Sequence, residues 1–266
     1  MTLGFLGSGK MATALASGVV QSKAFAAREI FVSDVVAAAA EELAKKIGAN
    51  LVRTNVELAA SAEVIVLCVK PGDAVAALRE VSEKLGGKLV ISIAAGLSTQ
   101  QLEAAAGSAR IVRVMPNTPA LIGQGAAAYA LGSQANGEDA KWAERIFGSV
   151  GLVVRVKEEL LDVVTGLSGS GPAFVYTVIE ALADGGVLMG LPRDLSLKLA
   201  AQTVGGAAGM VTETGGHPSV LRDQVTSPGG TTIAGLEVLE KSGLRAALIG
   251  AVRAATERSK QLGQAK

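Results

Sequence analysis

Two short stretches hold the residues best suited to chemistry. The first is "LGFLGSGKMA", with Gly7-x-Gly9-x-x-Ala12 directly after an apolar run. Gly7 permits a tight turn, Gly9 lets the backbone approach a pyrophosphate, and Ala12 keeps the following helix near a sheet. A helix starting there presents free N–H groups to an anion. The motif string alone is weak, but between a strand and a helix it reads as a dinucleotide fingerprint. The second stretch is "TSPGGTT", Thr226 to Thr232. It carries hydroxyls and glycine backbone but no His, Cys, Lys or carboxylate. A helical apolar pattern follows at Ile233, Leu236 and Leu239. Such a knot is either an anion cradle or an ordinary Ser/Thr helix cap.

The elements that position these stretches follow from hydrophobic patterning. Short β-type runs alternate with Ala-rich helical segments: "LGFL", "EIFVS", "EVIVLCV", "KLVISIA" and "RIVRVMP". The fully apolar run at 63–69 is of the kind buried on both faces of a parallel sheet. Strand, helix, strand in this order predicts right-handed crossovers and an open sheet. "GAAAYAL" and "GLVVRV" read as added strands around a helix at 137–150. After about Glu158 no β run appears. A long helix is expected from near Pro172, a second over "RDLSLKLAAQTVGGAAGMVTETGG", and a third from Gly243 to Gly263. The predicted fold class is therefore α/β, with a dinucleotide-binding, Rossmann-type open sheet over 1–157. An all-helical domain over 158–266 is expected to bind substrate and to self-associate. Its wide apolar faces of small residues suit burial against a second copy.

In such a sheet, ligands bind beyond the carboxyl ends of the strands. The second strand ends at Ser33 and Asp34. An acid there accepts from the 2′-OH of NADH and repels a 2′-phosphate, which predicts detectable use of NADH. Ser33 and Asn55 could instead bind that phosphate, so NADPH or NADH both stay open. Cys68, Val69, Lys70 and Pro71 follow the next strand, and Ile93, Ala94 and Ala95 the one after.

The chain has 266 residues, a net charge of +1, and 49% hydrophobic but only 3% aromatic residues. That length allows two domains. A balance so near neutrality suggests no nucleic-acid or membrane-surface partner, which would need a basic stripe. The single cysteine, Cys68, excludes an internal disulfide and reads as a small buried residue, in keeping with a cytoplasmic location. No signal-peptide pattern and no run of roughly 20 apolar residues is seen.

Seven ordered blocks together resemble the pyrroline-5-carboxylate reductase family. They are "GFLGSGKMA", "VKP", "AAG", "RVMPNTPALIGQG", "VTGLSGSGPAF", "ALADGGVLMGLPR" and "VTSPGGTT". The resemblance implies a Rossmann-type domain and a helical domain interlocking with a second subunit. It also implies hydride transfer from NAD(P)H to the C=N carbon of 1-pyrroline-5-carboxylate, giving L-proline. Carried over by position, Leu6, Gly7, Ser8, Gly9, Lys10 and Met11 wrap the pyrophosphate. Asp34 and Asn55 sit near the adenosine ribose, the segments 68–71 and 93–95 line the cofactor, and Asn117 lies near the nicotinamide. Ser227, Thr231 and Thr232 hold the substrate. Gly229 and Gly230 would bring N–H groups to its carboxylate, and Thr232 is the candidate to bond the ring nitrogen and relay a proton.

The chemistry fits this assignment. A protonated imine is already electrophilic, so a strong side-chain acid is less needed than for a ketone. The only histidine, His217, lies in a turn-rich stretch. Glu158, Asp162 and Asp184 read as caps or solvated charges. One rival is a reductase of another small imine or keto acid. "GLSGSGPAF" also resembles the β-hydroxyacid dehydrogenases, but Val175 and Ile179 stand where that family's catalytic lysine and amide are expected. A non-enzymatic NAD(P)H sensor is the other rival, and it leaves the hydroxyl knot without a role.

Overall fold

The apolar runs form the strands of one sheet in a computed structural model that describes residues 1–264. These are β1 (Leu3–Leu6), β2 (Ile30–Ser33), β3 (Asn50–Leu51), β4 (Val64–Leu67), β5 (Leu89–Ser92), β6 (Arg110–Met115), β7 (Gly125–Leu131) and β8 (Gly151–Arg155). The sheet order is β3-β2-β1-β4-β5-β6-β7-β8. The first six strands are parallel, β7 pairs antiparallel with β6, and β8 runs parallel to β7. The chain moves outward from β1 to β3, then returns to place β4 on the other side of β1. That reversal opens a crevice at the carboxyl ends of β1 and β4.

Alternation along each strand splits the core in two. Leu3, Phe5, Val64, Val66, Leu89 and Ile91 face one layer. It is completed by α1 (Lys10–Gln21), α2 (Ala37–Ile47) and α6 (Gly137–Phe147), which contribute Leu15, Leu43 and Phe147. Leu6, Ile65, Leu67, Val90 and Ile111 face the other layer. It is completed by α3 (Asn55–Ser61), α4 (Pro71–Val81) and α5 (Thr99–Ala106), which contribute Leu58, Leu78 and Leu102. β4 has no exposed residue because both of its faces are covered.

Several boundaries depart from the periodicity. The runs at 63–69 and 88–94 shorten to four-residue strands, since their last residues turn outward to form the rim. The helix expected over 137–150 ends at Phe147 and tightens into a 3₁₀ turn over Gly148–Val150. Beyond β8, a short α7 (Leu161–Val164) runs into a π-helical turn at Thr165–Gly169. Its wide bond is donated by the Ser170 N–H to the Thr165 carbonyl at 2.8 Å.

By packing, the chain divides into two units. One is Met1–Ser170 with residues 253–264, and the other is Gly171–Val252. The second unit holds α8 (Gly171–Leu188), α9 (Arg193–Thr214), α10 (Pro218–Gln224) and α11 (Thr231–Lys241). It also holds the first part of α12 (Leu244–Gln264). α8 and α9 pack closely through small residues: Ala183, Ser196 and Ala200 are buried, and the Ser196 hydroxyl donates to the Ala183 carbonyl at 2.6 Å. Most larger apolar side chains of this unit are uncovered in the single chain, with Leu188 85% and Met189 84% exposed. Among the described residues, no helix is long and apolar enough to cross a membrane.

Candidate active site

The glycine loop is zipped to the end of β2. Gly7 donates its N–H to the Ser33 carbonyl at 2.9 Å, and the Ser8 hydroxyl reaches the same carbonyl at 3.3 Å. Gly7 has φ +98, and a Cβ there would stand 2.8 Å from the carbonyl carbon of Cys68. Only glycine meets both the conformation and the closeness of β4. Gly9 caps α1 without a side chain, and no atom lies within 4 Å of where its Cβ would stand. No acidic residue lies in the first turn of α1, which leaves its unpaired N–H groups without a side-chain cap from within the helix. The chain therefore fits a dinucleotide pyrophosphate here.

The crevice beside this loop has a volume of about 520 Å³. It brings together Leu6, Gly7, Gly9, Asp34, Asn55, Cys68, Val69 and Lys70 from the sequence-predicted set. Asp34 accepts the Ser8 N–H at 2.6 Å through one carboxylate oxygen and the Val36 N–H at 2.8 Å through the other. Burial pushes the Cys68 thiol far up, so it stays protonated and is no nucleophile. Lys70 caps α4 from an exposed position.

A second cavity of about 350 Å³ takes Pro71 and Ala95 from the predicted set. Its further walls were not legible in the motifs: Thr165 and Ser170 bracket the π turn, and Ala255, Arg258, Ser259 and Leu262 come from α12. Ser259 is fixed by donating its hydroxyl to Asp162 at 2.6 Å. A π turn at a cavity wall is itself a common mark of function, but it is invisible to a helical hydrophobic pattern. Of the remaining rim residues, Ala94 is buried, and its N–H bonds the Ser92 hydroxyl at 3.2 Å. Ile93 packs on the core.

Asn117 sits elsewhere and has both ends of its amide engaged. It donates to the Ser168 carbonyl at 3.1 Å and accepts the Ala126 N–H at 2.8 Å. It thereby ties the start of β7 to the π turn. The carboxylates read as caps or surface charges have partners. Glu158 accepts from the N–H and hydroxyl of Thr99 and from Arg113, and Asp184 pairs with Arg193. His217 caps α10, its Nδ1 accepting the Ser219 N–H at 3.2 Å.

In the helical unit, Gly230 donates its N–H to the Ser227 carbonyl at 3.1 Å, closing a turn that leaves the hydroxyls of the knot, but not this N–H, available. Gly229 has φ +65, and Gly230, not a Ser or Thr, caps α11 with no side-chain bond. Ser227 and Thr231 are exposed and Thr232 is half-buried. Among the described residues, no side-chain hydrogen bond engages these three hydroxyls. The knot is therefore not a self-satisfied Ser/Thr cap, and its hydroxyls lie beside a helix N-terminus that has no side-chain cap.

An open sheet with a glycine loop at its switch point defines a dinucleotide-binding protein of the Rossmann class. Residues 158–262 match the family model for pyrroline-5-carboxylate reductase dimerisation, and residues 2–96 match that for coenzyme F420-dependent NADP oxidoreductases. The pyrroline-5-carboxylate reductase of Arabidopsis thaliana is 46% identical over 98% of this chain and 95% of its own. A solved Plasmodium falciparum pyrroline carboxylate reductase with NADP bound is 39% identical, with a TM-score of 0.88 over 99% of this chain and 98% of that one. A Coxiella burnetii pyrroline-5-carboxylate reductase is 35% identical, with a TM-score of 0.93 over 98% of both chains. The chain belongs to the pyrroline-5-carboxylate reductase family.

Proposed function

We propose that this chain reduces 1-pyrroline-5-carboxylate to L-proline with NADPH or NADH, the closing step of proline biosynthesis. The similarity to reductases of this name along 98% of the chain carries the reading. Residues 1–157 carry the cofactor site; of the stretch from 158 onward, expected as one substrate and self-association domain, 171–252 form the separate helical unit to which we give that role, and 158–170 and 253–264 pack with the cofactor unit. The uncovered apolar side chains of α8 and α9 support association of at least two copies. The cytoplasm is the proposed location.

The bound nicotinamide supplies the hydride to the C=N carbon. The rest falls to the chain. Leu6 to Met11 wrap the pyrophosphate: the N–H groups of Gly7 and Ser8 fix the loop to Ser33 and Asp34, and those of Gly9, Lys10 and Met11, at the positive end of α1, face the anion. Asp34 and Asn55 serve the adenosine ribose, Ser33, also a candidate there, is buried and acts behind Asn55 through its hydroxyl bond, and Cys68 to Pro71 with Ile93 to Ala95 line the cofactor's path. Asn117 acts from behind, through the backbone of the π turn. Ser227 and the Gly229 backbone take the substrate carboxylate, while Gly230, expected to donate to it, instead holds the turn through its N–H bond to the Ser227 carbonyl. Thr231 completes this cradle, and Thr232 bonds the ring nitrogen and relays its proton. The protonated imine needs orientation more than acid strength, because hydride transfer requires the reacting atoms within roughly 3–3.5 Å.

Turnover of 1-pyrroline-5-carboxylate, followed by loss of reduced nicotinamide absorbance, tests the reading. Consumption of NADH or NADPH with formation of proline is expected. Turnover of another imine or keto acid, with none of this substrate, overturns it. Val175 and Ile179 on α8 offer no acid–base group for hydroxyacid chemistry.

A further inference from the structure

The adenosine end of the crevice contains an acidic residue that the motif does not reveal. Glu80, in the last turn of α4, accepts a 2.8 Å hydrogen bond from the side-chain amide of Asn55, the first residue of α3. Asn55 is buried, and its amide oxygen accepts from the Ser33 hydroxyl at 3.0 Å. Ser33, Asn55 and Glu80 therefore form one chain running from the end of β2 to the far wall of the crevice.

This chain fixes the direction of every donor in it. The Ser33 hydroxyl proton points to Asn55, and the Asn55 amide points to Glu80. These were the two side chains able to serve a 2′-phosphate. The Ser33 hydroxyl proton and one of the two Asn55 amide hydrogens are spent inside the protein, and the charge at the end of the relay is negative. Asp34 adds a second carboxylate, held in place by the Ser8 and Val36 N–H groups. Three carboxylates line the crevice, Asp34, Asp73 and Glu80, against the single amine of Lys70. Lys70 follows β4 whereas Asp34 follows β2, and β1 lies between those strands. Two strand spacings of about 4.8 Å put Lys70 on the far side of the pyrophosphate loop.

We propose that Glu80, acting with Asp34, is a specificity-determining residue that makes this crevice select NADH and reject NADPH. A ribose 2′-hydroxyl can donate to a carboxylate. A 2′-phosphate at the same place meets two like charges, with the Ser33 hydroxyl proton already given to Asn55 and one Asn55 amide hydrogen to Glu80. NADH selection rests on the cofactor crevice proposed above. It goes beyond that proposal in choosing between the cofactors and in assigning Glu80.

Direct titration of the full-length protein with NADH and with NADPH, by calorimetry or nicotinamide fluorescence, tests this without turnover. The unsubstituted chain is expected to bind NADH about tenfold tighter or more. Glu80→Gln keeps an oxygen for Asn55 but removes the charge. It is expected to tighten NADPH roughly threefold or more while NADH changes little, and added salt should shrink the difference. Asp34→Ser should narrow the preference further. NADPH binding as tight as or tighter than NADH in the unsubstituted chain overturns the proposal. An unchanged ratio in Glu80→Gln overturns the role of Glu80. Failure to bind either cofactor overturns the crevice assignment itself, and selectivity with it.

Discussion

The hydroxyl of Ser259 donates a 2.6 Å hydrogen bond to the carboxylate of Asp162, 97 residues earlier in the chain. Ser259 is buried on α12, and Asp162 stands in α7 just before the π turn. The bond holds the last turns of α12 against the segment that carries Thr165 and Ser170. Leu262 and Gly263 seat beside Gly96 at the opposite wall of the same cavity.

Ser259→Ala leaves the Asp162 carboxylate without this donor. The expected cost is about 1–3 kcal/mol of stability, read from the midpoint of denaturant unfolding. Ser259→Thr retains a hydroxyl and should lose less. Equal stability of the alanine variant and the unsubstituted chain would show that solvent replaces the bond.

Thr232→Ala tests the knot. Turnover should fall about tenfold or more, the equivalent of ~1.4 kcal/mol in the transition state, with cofactor affinity little changed. Unchanged kinetics would remove Thr232 from the proton relay.

Gly7→Ala tests the loop. Its added methyl would stand 2.8 Å from the Cys68 carbonyl carbon at φ +98. Cofactor binding should weaken by at least roughly tenfold, since the loop must shift away from β4. Retained affinity would mean that the loop relaxes without losing its anion contacts.

Tyr129 predicts alkaline behaviour. Burial, then the hydrogen bond to Glu144, pushes its phenol from 10.0 up to about 12. The folded state therefore keeps a proton that the unfolded chain loses near pH 10. Stability from this group is complete below about pH 10 and is lost as pH rises toward 12. Tyr129→Phe should flatten that loss in unfolding measured across this range, and a persisting slope of equal size would assign it to other groups.

How far the sequence discloses these features depends on their range. β1, β4 and the glycine loop are legible because the apolar run, the turn and the helix start are contiguous. β3 is not, since Asn50 and Leu51 are two exposed residues held by pairing with β2 and by the Asn50 side-chain amide donating to the Arg28 and Ile30 carbonyls. The helical unit is legible in its three long helices but not in α10, whose seven residues carry too little periodicity. The reach of Glu80 to Asn55 joins residues 25 apart through the packing of α3 and α4, which no local pattern encodes. The knot is legible as a polar turn. That its hydroxyls stay free follows from Gly230 taking the cap position, a matter of backbone geometry.

The most direct measurement supplies NADH or NADPH carrying deuterium at the transferable position and locates the label in the product. The account predicts L-proline labelled at the ring carbon that formed the C=N bond. Proline without the label, or no proline, would contradict hydride transfer to that carbon.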